Sequence, residues 1–99
     1  MEVWKFEMKL NDYAKVEMPQ GAKVLDIKAQ EGKQLCLWAL VEPKNELEIY
    51  KFRIAGTGHH IDESFEDLKY VKSLHLNRRG IPLVFHVFEV LGGALLLHR

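Results

Sequence analysis

The residues with the most chemical promise lie between positions 53 and 60, in the run Arg-Ile-Ala-Gly-Thr-Gly-His-His. Gly56 and Gly58 permit positive φ and leave backbone N–H groups uncovered, so two or three of these can turn into a concavity and hold a phosphate or carboxylate. Thr57 adds a hydroxyl and His59 a further donor, while Arg53, just upstream, is the nearest guanidinium for a bound anion. The same run also describes a tight turn after a strand, where glycine serves only for its backbone freedom. It is not G-x-G-x-x-G, carries no lysine and precedes no long helix, so neither nucleotide-binding fingerprint applies.

Other candidates are scattered. Arg78 and Arg79, in Asn-Arg-Arg-Gly, offer a second positive spot for a small anion. His86 shares a face with Val84, Phe88 and Val90. It reads as a core histidine satisfied by hydrogen bonds or, more sharply, as an imidazole reaching a pocket beside the Gly-Thr-Gly turn. Trp4, on an outer strand near a terminus, is the better aromatic platform for a nucleobase, and Trp38 reads as core. Cys36 lies in a doubly apolar strand and reads as packing, because a nucleophile needs exposure and a base.

His59 and His60 are adjacent, so on an extended chain they project to opposite faces. Neither Asp62 nor His86 supplies the spacing of a zinc site, so no metal is expected. His75 and His98 read as solvated, and Asp62, Glu63, Glu66 and Asp67 as an acidic helix start. With no nucleophile–base pair, no metal set and no cofactor loop, the expectation is a protein that is not an enzyme and needs no cofactor.

The elements that must position these residues are mostly strands. Trp4, Phe6, Met8 and Leu10 alternate with charged residues, Ala14, Val16 and Met18 do the same, and the two runs flank a turn at Asn11–Tyr13, which predicts a hairpin. Leu25, Ile27 and Ala29 begin another run, followed by a turn at 31–33 and by the stretch Leu35–Val41, apolar on both faces and therefore central. A polar loop at 42–46 leads to an alternating segment with Tyr50, Phe52 and Ile54, expected to form a further hairpin with the central strand. Ser64 can cap a short helix or helical turn in which Phe65 and Leu68 stand three apart. Two last strands flank Asn77–Gly80, a hairpin turn. The fold class is mainly β: a compact antiparallel sandwich or partly open barrel of six to seven strands with one short helix. Residues 1–90 make one domain, and 91–99 a tail suited to folding back, to an oligomer contact or to docking.

Composition narrows the function. The chain has 99 residues, 47% of them apolar, with 14 basic and 14 acidic side chains that cancel. Ninety-nine residues suffice for one core. The interspersed charge gives no stripe for a nucleic-acid backbone. One cysteine, no leader-like segment and no apolar run of membrane-spanning length point to a cytoplasmic protein with no membrane partner.

The pieces VEMPQGAKVLDI, LCLWALVEP, KFRIAGTGHHI and FHVFE, spread from Trp4 to Glu89, resemble a family of short uncharacterised bacteriophage and prophage proteins. In that pattern the position of His60 is often proline, which puts the weight on Gly56 to His59. The resemblance implies a phage-encoded accessory protein, and by analogy one that counters a host defence. Two partners are then expected as alternatives. One is a small anionic, nucleotide-type ligand sequestered at Arg53, Gly56, Thr57, Gly58, His59 and His86, with Trp4, Arg78 or Arg79 assisting. The other is a host defence protein bound by an exposed edge strand or by the Ala94–Leu97 segment. A ligand site would gain from a subunit boundary, so a homo-oligomer is expected as well.

Overall fold

The computed structural model describes residues 1–30 and 34–91. The turn expected at 31–33 and the tail from 92 onwards, with His98, lie outside the described residues. The strands are β1 (Glu2–Lys9), β2 (Tyr13–Pro19), β3 (Lys23–Ala29), β4 (Gln34–Val41), β5 (Leu47–Gly56), β6 (Leu68–Arg78) and β7 (Ile81–Val90). They form two antiparallel sheets, ordered β1-β4-β3 and β2-β5-β7-β6. The mainly-β sandwich read from the sequence is therefore the fold, with β4 central in its sheet.

Two of the expected hairpins are instead crossings between the sheets. β1 pairs with β4 and β2 with β5, so the chain arches from one layer to the other at Asn11–Asp12 and again between Val41 and Leu47. The reason is that alternation marks one apolar stripe per strand and is silent on its neighbour. Two stripes can lie side by side in one sheet, or face each other across the core. Here they face each other, and Phe52, Met18, Ile27, Leu35, Leu37, Val41 and Val87 are fully buried between the layers. The third hairpin stands: Arg79 (φ 53°) and Gly80 (φ 79°) form a two-residue turn with both φ positive, and Asn77 Oδ1 accepts from the Gly80 N–H at 2.9 Å.

The expected short helix or helical turn is a single 3-10 turn at Phe65–Asp67, where Ser64 makes no side-chain cap. Phe65 is 92% exposed, and Leu68 already belongs to β6. β5 and β6 are parallel with β7 between them, so residues 57–67 return from the level of Phe85, where β5 ends, to that of Val90, where β6 begins, about 17 Å along β7.

The two layers approach each other along β1 and β2 and along β3 and β6. Lys72 of β6 bonds Asp26 of β3 across the second seam. That hydrogen bond from Lys72 holds the Asp26 carboxyl below its ordinary value, against an opposing contribution from burial. A carboxylate with a depressed folded pKa stabilises above its unfolded value and loses that contribution as pH falls through the folded value. Urea unfolding between pH 7 and pH 2 should therefore show a larger acid loss for the native protein than for Asp26→Asn. Both side chains are more than a third exposed, so the difference should stay below about 1 kcal/mol.

Candidate functional site

β5 ends at Gly56, where the chain must leave the sheet and start its return. It does so in a tight turn, with Gly58 at φ 90° and the His59 N–H donating to the Gly56 carbonyl at 3.0 Å. Positive φ at the third residue of such a turn is a position for glycine. The Thr57 N–H donates to the Val84 carbonyl at 3.3 Å, tying the turn to β7, and the Gly56 N–H donates to His59 Nδ1 at 3.2 Å. The expected anion nest of backbone amides is thereby corrected: three of the four N–H groups are already bonded within the protein. Glycine at 56 has a different purpose. A Cβ there would lie 3.0 Å from the His59 ring, so its absence lets the imidazole fold down over the strand end.

His59 in that position walls two concavities. A small one, about 60 Å³, is lined by Leu10, Asn11, Asp12, Ile54 and Phe85. The other, about 320 Å³, lies between Gly56, Thr57, His59 and the Pro82–Phe85 stretch of β7. Because Nδ1 accepts a hydrogen bond, a neutral His59 carries its proton on Nε2 and presents a donor.

His86 sits beside this turn. It is half-buried on the outer face of its sheet, since Val87 takes the inner position, so the core-histidine reading is corrected. Thr57 Oγ1 lies 2.9 Å from its Nε2 and Ser73 Oγ 2.8 Å from its Nδ1, and the Tyr70 hydroxyl lies 2.9 Å from Ser73 Oγ. The result is a continuous chain Thr57–His86–Ser73–Tyr70, with Tyr70 edge-on to Phe88 at 5.9 Å. Both imidazole nitrogens are occupied, so His86 fixes Thr57 rather than offering its own ring to a ligand. Replacing His86 with phenylalanine keeps the ring volume and removes both hydrogen bonds. It should cost about 1–2 kcal/mol of stability in a urea titration, given two bonds of roughly 0.5–1.5 kcal/mol each in a half-exposed setting.

Arg53 is not a ligand arginine. Although strand alternation puts it on the outer face, it is one of the most buried charged groups, at 6% exposure, because Tyr13 and the returning segment cover it. Its Nη1 donates to the carbonyls of Ile54 at 2.6 Å and Asp12 at 3.1 Å, and its Nη2 to that of His60 at 2.9 Å. The Asp12 carboxylate is 3.8 Å away, and the Tyr13 ring centroid 5.2 Å. Tyr13 in turn donates its phenol proton to Glu63, and that bond, more than burial, pushes the phenol pKa up. Arg53 and Tyr13 thus clamp the returning segment at His60 and Glu63.

Trp4 is displaced from the site altogether. It packs half-buried against the core six residues before Leu10, about 20 Å back along β1 from the concavity that Leu10 lines. Arg78 and Arg79 are exposed at the tip of the β6–β7 hairpin, which extends past the Gly56–His59 turn and carries Pro82 on its near end. The structure therefore brings together Gly56, Thr57, Gly58, His59 and His86, sets the arginine pair on the neighbouring hairpin tip, and removes Arg53 and Trp4. His60 pairs with Asp62 at 2.9 Å, both well exposed. Among the described residues no group of three His, Cys, Asp or Glu converges as a metal site would, and no helix is long and apolar enough to cross a membrane.

Ser73 and Tyr70 were missing from the sequence reading, and a signal for Ser73 existed. The two-residue turn at Arg79–Gly80 fixes Arg78 opposite Ile81, and counting back along both strands places Ser73 opposite His86. The bulge at Val71 then shifts the register, so that Tyr70 pairs with Phe88. No such count finds Tyr70.

A family model described as a domain of unknown function (DUF7352) matches residues 1–94. No curated protein and no solved structure matches.

Proposed function

The chain belongs to the DUF7352 family, and from the geometry of its Gly56–His59 corner we propose that it is a non-enzymatic binding protein for a small, anionic, nucleotide-type ligand. The observation that carries this reading is the concavity of about 320 Å³ between the turn and β7. Its volume falls at the lower end of ligand-sized pockets. Pro82, Leu83, Val84 and Phe85 give it an apolar wall for a base or sugar. Thr57, oriented by His86, and the Nε2–H of His59 give it polar groups, and Arg78 and Arg79 at the hairpin tip supply the charge for phosphate. A shallow site of this kind suits sequestration better than turnover. The biological setting, a phage-encoded cytoplasmic accessory that withdraws a defence signal, rests on the sequence resemblance.

The test is a thermal-shift panel of mono-, di- and cyclic nucleotides. A ligand present at about 100 times its Kd should raise stability by about 2.7 kcal/mol. That gain should be lost in His59→Ala and in the double variant Arg78→Gln/Arg79→Asn, where asparagine keeps the positive φ the turn needs. No shift with any nucleotide at about 1 mM would exclude ligands tighter than roughly that concentration and end this reading. A host protein retained by the native chain in a pull-down from host lysate, with nucleotides inert in the panel, would establish the alternative partner. The close approach of the sheet edges, β1 to β2 and β3 to β6, makes strand addition the less accessible route for such a partner.

A further inference from the structure

The outer surface of the β1-β4-β3 sheet is apolar along its central strand, where Cys36 is fully buried. It carries Trp38 and Leu40, half-buried on the central strand, flanked by Val3 at 57% and Leu25 at 55% exposure. We propose that this face binds a second copy of the chain, face to face, about a two-fold axis parallel to β4.

The charge pattern selects the occupant and the orientation. The register sets three rows across the sheet: Glu7–Cys36–Lys28, Lys5–Trp38–Asp26 and Val3–Leu40–Lys23. A two-fold axis lying in the interface along β4 exchanges β1 with the partner's β3 while keeping each row. Glu7 then faces Lys28, Lys5 faces Asp26 and Val3 lies against the aliphatic stem of Lys23, each pair occurring twice by symmetry, and Trp38 and Leu40 meet their own counterparts on the axis. The perpendicular in-plane axis instead reverses the rows, setting Lys5 against Lys5 and Lys23 against Lys28. Only the first arrangement is self-complementary. Lys5 already lies 6.0 Å from the Trp38 ring centroid, so the cation stands at the edge of the apolar patch, where it can reach across. Asp26 is shared with the cation of Lys72, whereas Glu7 accepts only from the neutral Gln34 amide at 3.0 Å, so the Glu7–Lys28 pair is the cleaner reporter of charge.

Three strands about 4.8 Å apart, two of eight residues and one of seven, present roughly 400 Å² per copy, below the size of a standard stable interface, so the dimer is a weak one with a Kd on the order of 10–100 μM. The experiment is sedimentation equilibrium from about 10 μM to about 1 mM at low and high salt, a range that brackets that Kd. The native chain should move from monomer to dimer, less so at high salt. Glu7→Lys alone and Lys28→Glu alone should each weaken the dimer at least tenfold, and Glu7→Lys/Lys28→Glu together should restore it. These two side chains are exposed and lie on the two edge strands, so the fold persists, and circular dichroism verifies that. A protein that stays monomeric at about 1 mM overturns the proposal, as does a dimer indifferent to both single changes or a folded double variant that fails to recover.

Discussion

Replacing Arg53 with methionine should lower the unfolding free energy by about 2–4 kcal/mol, measured by urea denaturation at neutral pH. The methionine preserves most of the aliphatic stem, so the loss isolates the guanidinium. Three backbone carbonyls, those of Asp12, Ile54 and His60, each lose their charged donor. A buried acceptor left without a partner costs about 1–3 kcal/mol; the Asp12 carbonyl keeps the Ile54 N–H at 2.9 Å, and that of His60 regains some of the loss from water because its surroundings are partly exposed. Arg53→Lys should recover less than half, since one ammonium cannot fork to three acceptors on separate segments. The effect should also be local: amide exchange should accelerate along residues 59–63, which the clamp holds against the sheet, before it does in β4. Equal acceleration in both regions would mean that Arg53 supports the whole sandwich and not that segment.

Arg53 also shows where sequence reasoning reached its limit. Its strand and its outward direction followed from the alternation of Tyr50, Phe52 and Ile54, and both hold. What alternation lacked was the path of residues 57–67, which crosses that outer face and turns a surface arginine into a buried clamp. Crossing paths depend on strand order, and strand order depends on which apolar stripes face each other, a question of long-range packing that no local pattern poses. The same gap produced the two hairpins that are arches. By contrast the Arg79–Gly80 turn was legible because its geometry is set by two residues, and the partnership of Thr57 with His86 was within reach because a histidine reaching the Gly-Thr-Gly turn was one of the two readings its strand allowed. The turn itself was recognised, while its amides were assigned to an anion that the protein's own acceptors displace.

The second large effect separates two aromatic residues that look alike in sequence. Phe52→Ala should cost about 3–5 kcal/mol, whereas Trp38→Ala should cost the isolated chain about 1 kcal/mol or less. Each sits in a strand paired on both sides, Phe52 in an alternating run between Lys51 and Arg53 and Trp38 in a continuous apolar one, and by size and surroundings tryptophan is the stronger core candidate. The layers decide otherwise. Phe52 is fully buried, opposite Ala14 on β2 and Glu89 on β7, so its ring fills space that two short or polar neighbours leave under the opposing sheet. Removing it opens a cavity that β-sheet backbone closes poorly, and the cavity adds to the lost transfer energy. Trp38 points away from the core, with Leu37 and Ala39 taking the inner positions at 0% exposure, and its ring already meets water and Lys5. Its truncation leaves no enclosed void. Urea titrations of both variants at a few micromolar, where the chain is monomeric, measure these costs directly. The same Trp38→Ala protein then abolishes self-association at high concentration, because the ring it lacks lies on the symmetry axis. Near-equal stability losses for the two variants would place Trp38 in the core and remove the apolar centre from the outer face.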